Sequence, residues 1–396
     1  MKMLKMRKLE KMKRAAMKNT AETGKKKIGV YIPGDIVSEI LLRLPARSLG
    51  KYRCVCKSWL SITSNTAFVR ANAQLNRITR PSVIVGELTK RTKLCLDFGN
   101  ANSEPASIDL REYQQPTKTI PNHSYATATC DGLVCVMRIT HGTLIQFFVI
   151  NPLTGQSISS PKERYHSTSR PGFYFHRSTS KYRLIRVAGT STMGASEVLV
   201  VGESSWRPIP GNLPAILNCS NPLDLNGNIY WLAFSRKRSP SEDTVVIFDQ
   251  EQEVYSMISL PPSLVKLADF GRNLADFNGD LGLLVVSNET TIDVWIMEEN
   301  FWIKRYSVNY AHTHGCSSGL ESWWTPSGVF IIGDEELLVN LSSSCQCGAL
   351  PSCKRQHYLV GCNLKSGASV VQRMMSAQGC LYYSIFSYTE TLTNPE

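Results

Sequence analysis

The chain has 396 residues, of which 42% are apolar and 19% charged, and a formal net charge of +12. That balance belongs to a folded protein with at least one sizeable core and excludes an intrinsically disordered chain. Eleven Lys or Arg against Glu10 and Glu22 place nine of the net charges in residues 1–27, so the near-neutral remainder gives no whole-chain case for nucleic-acid binding. No apolar run approaches the ~18 residues of a membrane span, and no apolar stretch follows the N-terminal charges, so neither a membrane segment nor a secretory signal is expected. The twelve cysteines are then read as reduced thiols of a cytoplasmic or nuclear protein.

In chain order, residues 1–27 read as a solvated basic tail whose composition also suits a nuclear import signal or contact with an anionic surface. A small helical module is expected over residues 28–72. Pro33-Gly34-Asp35 is a helix-start signal, and Ile36, Val37, Ile40, Leu41 and Leu44 recur at helical spacing until Pro45. A second short helix from about Arg47 carries Leu49 and Val55, and a third over Lys57–Ser64 carries Trp59, Leu60 and Ile62. Three short helices cannot bury all of these side chains among themselves. Ile40, Leu41 and Leu60 are assigned partly to the internal core, Cys56 to a small buried position, and the remaining apolar surface to a partner. Residues 73–80 are read as a linker.

The string IPGDIVSEILLRLPARSLGKYRCVCKSWLSI resembles an F-box, the adaptor-binding module of SCF-type ubiquitin ligases. The resemblance rests on Pro33, Ile36, Ile40, Leu41, Leu44, Pro45, Ser48, Leu49, Arg53, Val55, Cys56, Lys57, Trp59 and Phe68. Ile32 stands where Leu is usual, Gly50 follows Ser48-Leu49, and Thr66 stands where a Pro often precedes the Phe. The resemblance implies docking on a Skp-type adaptor and, through it, a cullin scaffold. Pro33, Ile36, Ile40, Leu44, Pro45, Leu49, Val55 and Trp59 would form the adaptor-binding face.

From about residue 80 the pattern changes to short apolar runs, among them GLVCVM, TLIQFFVI, NIYWLAF, TVVIFDQ, LGLLVV and IDVWIM, separated by turn residues. Such runs at roughly ten-residue spacing define a large all-β domain. Asp131-Gly132, Asn226-Gly227 and Asn278-Gly279 each feed an apolar strand, and their glycines lie 95 and 52 residues apart. A period of about 50 favours a six-bladed kelch-like β-propeller over residues 81–390, with a β-sandwich or barrel as the alternative. FFVINPLTG, VIFDQEQEV and VWIMEENFW repeat a strand, a polar turn and a second strand. The motifs CDGLVCV, FVINPLTGQ, KYRLIRV, SSWRPI, LNGNIYWLA and DVWIMEENFWIKRYSV together resemble the F-box-associated domain of plant F-box proteins. Trp206, Trp231, Trp295 and Trp302 are assigned to the blade core.

Three catalytic motifs are absent: there is no GxxxxGK[ST], no GxGxxG after a strand and no HExxH. Cys345, Cys347, Cys353, His357 and Cys362 form the best metal candidate, but CxC suits tetrahedral zinc poorly, and no metal or cofactor is expected. Cys54 and Cys56 lack a sequence-local base for nucleophilic chemistry. The resulting expectation is a non-catalytic receptor whose helical module binds the adaptor and whose β domain recruits an unidentified protein for ubiquitination. The alternative is a propeller lectin or enzyme with an incidental helical N-terminus. Target-contacting residues are not legible, although SPKERYHSTSRPG, SRKRSPSED and SSSCQCGALPSCKRQ are candidate loops.

Overall fold

The computed structural model describes residues 32–79, 82–87, 93–96, 106–109, 123–140, 144–164, 171–189, 194–213, 218–219, 222–234, 244–261, 264, 272–288, 291–309, 322–332, 336–345, 357–366, 369–375 and 383–395. The chain divides into two compact units, residues 1–42 and residues 43–396.

The described part of the first unit, residues 32–42, is helix α1, Gly34–Leu42, preceded by Ile32 and Pro33. The Val37 N–H donates to the Pro33 carbonyl at 3.1 Å, and Asp35 lies in the first turn, where the helix dipole favours a carboxylate. Leu41 is fully buried, whereas Ile36 and Ile40, one turn apart, are about half exposed.

The second unit opens with α2 (Ala46–Tyr52), α3 (Lys57–Ser64) and α4 (Thr66–Thr79). Pro45 precedes α2 with φ −58°, and its carbonyl accepts from Ser48 and Leu49. The Asn65 side chain accepts from the Phe68 N–H at 3.1 Å, capping α4. This fourth helix is an addition to the three expected, and it continues as far as Thr79 through the segment read as a linker.

Five consecutive antiparallel meanders follow. Blade 1 comprises His123–Cys130, Leu133–Thr140, Leu144–Ile150 and a broken outer strand, Ser157–Ser159 and Glu163–Arg164. Blade 2 is Gly172–His176, Lys181–Gly189, Gly194–Val200 and Arg207–Leu213. In blade 3, Asn218–Cys219 and Leu223–Leu225 pair with successive parts of Asn228–Phe234, followed by Thr244–Asp249 and Tyr255–Ser259. Blade 4 is Arg272–Phe277, Asp280–Asn288, Thr291–Glu298 and Phe301–Asn309; blade 5 is Ser322–Ile332, Glu336–Cys345, His357–Asn363 and Ser369–Met375. A sixth, closing group joins distant segments. Tyr383–Tyr388 pairs with Ser82–Glu87, which lies alongside Lys93–Leu96, itself paired with Ala106–Asp109. This is a propeller, and the sandwich and barrel alternatives are set aside.

The core is a series of layers between blades. Leu133, Cys135, Met137, Phe147 and Val149 of blade 1 face Phe173, Leu184 and Leu199 of blade 2. Trp231, Val246 and Phe248 of blade 3 pack on Tyr174, Ile185 and Val198 of blade 2. Further layers join blades 3 and 4, and blades 4 and 5. Inner strands are thus buried on both faces, which is why LVCVM and LGLLVV read as continuous rather than alternating apolar runs. Trp231 is 1% exposed, and Trp206, Trp295 and Trp302 are partly buried against these layers, as core residues.

The repeated turns have a backbone cause. Asp131, Asn226 and Asn278 have φ of 47°, 50° and 53°, and the glycine after each also has positive φ, as a two-residue hairpin with the strands' own twist requires. Asn151, Asp249 and Asn363 each accept two main-chain N–H groups within the turn before an outer strand. Adjacent blades are stapled at this same end. The Glu251 carboxylate accepts from the main chain of Arg177 and Ser178, and Asn226 donates to the Gly279 carbonyl at 2.7 Å.

Candidate adaptor-binding interface

The sequence-predicted residues fall into two described surfaces, one on each unit. On the first unit, Pro33 is exposed, and Ile32, Ile36 and Ile40 are 48%, 50% and 52% exposed. Placing Ile36 and Ile40 four positions apart makes them one stripe of the helix. Ile40 therefore leaves the internal-core role expected for it; Leu41 alone holds that role on α1.

On the second unit, Leu44 and Pro45 form a half-buried elbow. The elbow is held through the main chain: Asn72 Nδ2 donates to the Leu44 carbonyl at 2.8 Å, and Asn76 Nδ2 donates to the Asn72 carbonyl at 3.0 Å. Both asparagines are buried polar side chains that the sequence reading missed. Val55 is 59% exposed at the turn before α3, and the half-buried Trp59 meets Tyr52 edge-on, with ring centroids 5.8 Å apart. Leu60 is also exposed, contrary to its expected core role.

Leu49 is a correction to the predicted docking face. It is 1% exposed, beside the equally buried Ala46, and therefore belongs to the interior of α2. At the neighbouring Gly50 a Cβ would lie 3.7 Å from Leu392, so that position of α2 also packs on the chain's own residues. The turn to α3 is fixed by Arg53, whose Nη2 donates to the Thr63 carbonyl at 2.7 Å near the end of that helix. Partial burial lowers the Arg53 guanidinium below its ordinary pKa.

Cys56 is exposed, not buried as expected, and so is Cys54. Cys130, Cys135 and Cys362 are buried, and desolvation pushes the thiols of Cys135 and Cys362 up to about 12. Brief iodoacetamide treatment of the folded chain near neutral pH is therefore expected to label Cys54 and Cys56 at least tenfold faster than these three, as read by peptide mass spectrometry. Equal labelling would contradict the burial. The Cys345, Cys347, Cys353 and His357 part of the expected metal candidate lies outside the residues with described side chains. Among the described residues no group of three His, Cys, Asp or Glu is placed to hold a metal, and no helix is long and apolar enough to cross a membrane.

A short helical module with exposed apolar residues, ahead of a propeller, defines a protein-interaction protein of two parts. The F-box domain family matches residues 32–70, and the F-box associated beta propeller domain matches residues 97–334. The chain belongs to the family of plant F-box proteins that carry this associated propeller. It is similar to F-box protein At5g65850 of Arabidopsis thaliana, with 28% identity over 310 residues, covering 74% of this chain and 72% of the relative. F-box protein At3g07870 of the same plant is 24% identical over 322 residues, 73% of this chain and 75% of the relative. F-box/kelch-repeat protein At2g43445, also from Arabidopsis thaliana, is 25% identical over 316 residues, 76% of this chain and 73% of the relative.

Proposed function

We propose that the chain is the substrate-recognition subunit of an SCF-type ubiquitin ligase, acting in the cytoplasm, the nucleus or both. Its F-box docks on a Skp-type adaptor joined to a cullin, and its propeller holds a target protein for ubiquitination and degradation. The observation that carries this reading is the exposure of Ile36 and Ile40 within a segment that matches the F-box family. A half-exposed Ile forgoes about half of the ~1.5–3 kcal/mol that full burial provides, so a stripe of two is explained by a partner that covers it. In such an assembly the receptor raises the local concentration of target lysines near the charged ubiquitin carrier, and contributes no catalytic residue of its own.

The three polar candidate loops lie wholly or partly outside the described residues. The strands flanking them meet at the blade end opposite the Asp131-Gly132 and Asn226-Gly227 turns. That placement supports target contact at the propeller end away from α2–α4, whose Arg70 pairs with Asp131.

Replacing Leu44-Pro45 with Ala-Ala tests the reading. Asn72 holds the Leu44 main-chain carbonyl, so the double variant keeps that bond and the fold. Co-purification with a Skp-type adaptor is expected to fall to background while the circular dichroism spectrum is unchanged; undiminished co-purification would overturn the assignment.

A further inference from the structure

Residues 389–395 follow the closing strand and form neither helix nor strand, yet Thr391 is fully buried and Leu392 and Thr393 nearly so. An irregular segment is buried only when its polar groups find partners, and here they do. Asn151 of blade 1, itself fully buried, donates Nδ2 to the Thr391 carbonyl at 3.0 Å and to the Thr393 carbonyl at 2.7 Å. The Thr391 and Thr393 hydroxyls are 2.7 Å apart, and the Thr393 N–H donates to Thr391 Oγ1 at 3.2 Å. The Thr389 carbonyl sits where only glycine leaves room: a Cβ at Gly132 would come within 2.1 Å of it.

The same segment touches α2. Arg47 donates from Nε and Nη2 to Glu390 Oε1, at 3.1 and 2.7 Å, and Leu392 lies against Gly50. A second joint lies on α4, where Arg70 pairs with Asp131 at 3.0 Å and its guanidinium stacks 3.1 Å from the centroid of the Phe175 ring. Helices α2–α4 are thus held to blades 1 and 2 at separate points, and residues 389–395 are wedged between α2 and blade 1.

We propose that residues 389–395 are an orienting strap that fixes α2–α4 at one angle to the propeller. Because a recognition subunit works by placing its target within reach of the ubiquitin carrier, the strap sets that reach; this consequence rests on the proposed function, whereas the mechanical claim does not. Two variants test it: the full chain stopped after Glu390, and Leu392→Asp, which sets a carboxylate against α2 and leaves every blade strand unaltered. Amide hydrogen exchange, with and without a Skp-type adaptor, is followed in residues 46–79 and in Leu133–Met137. The expected result is at least tenfold faster exchange in α2–α4, with unchanged protection in Leu133–Met137. Unchanged exchange in α2–α4, or an equal rise in both regions, would overturn the strap. Should the shortened chain fail to fold, Leu392→Asp decides by the same readout. Failure of the unaltered chain to bind the adaptor would defeat the proposed function and leave the exchange result to judge the strap.

Discussion

Glu253→Gln is expected to lower stability by about 3 kcal/mol at neutral pH, measured by urea denaturation. Glu253 sits on the turn before the outer strand of blade 3, at a φ of 54°. It pairs with Arg183 and Arg207 of blade 2 and accepts from the Tyr174 hydroxyl at 3.2 Å. The Arg183 side chain is 9% exposed, so losing its counter-charge leaves a desolvated cation. Breaking such a buried pair costs about 3–5 kcal/mol, and the low end applies because Arg207 is half exposed and screened. Burial by itself would raise the Glu253 carboxyl, but the Arg207 and Arg183 guanidiniums overcome it and hold the group below its ordinary value. Because the folded value is lowered, the stabilisation is present above the unfolded value and is lost as pH falls through the folded one. The native chain is therefore expected to lose stability more steeply than Glu253→Gln as pH falls below the ordinary glutamate range. Parallel profiles would show that the carboxylate is not the linked group.

Ile40→Asp is expected to weaken adaptor binding about thirtyfold or more, by calorimetry, with little change in melting temperature. A charge placed in a desolvated apolar contact costs at least about 2 kcal/mol when that contact is central. Leu49→Ala should do the converse. It removes a buried side chain from α2 at a cost of about 2–5 kcal/mol in folding, and touches affinity only through the unfolded fraction. Comparable loss of affinity from Leu49→Ala in fully folded protein would return Leu49 to the docking face.

That reversal shows where the sequence was transparent and where it was not. Turns such as Asn226-Gly227 and Asn278-Gly279 were legible because positive φ at two successive positions admits few residue types. The third helix was placed at Lys57–Ser64 on its apolar residues Trp59, Leu60 and Ile62, and the structure has it there. Leu49 was not, since a seven-residue helix with few apolar positions has no defined face until something packs on it. Asn72 and Asn76 look like surface residues and are buried because they bond a main-chain carbonyl, a partner that hydropathy cannot register. The Glu253 staple joins residues some seventy positions apart, beyond any local pattern. The sixth blade was counted by period, yet its composite origin left no repeat to read.

The pairing of Ser82–Glu87 with Tyr383–Tyr388 also governs how the molecule is made. Blades 1–5 are each built from neighbouring segments and can form as they are synthesised, but closing a loop of roughly 300 residues carries a length-dependent entropy of about 5 kcal/mol. Until Tyr383–Tyr388 is made, the nascent chain carries Ser82–Glu87 without that partner strand, an edge that can template pairing with another molecule. Closure of the ring is therefore expected to be the slow event in folding, and chaperone dependence should follow the lifetime of that open state rather than the stability of any single blade.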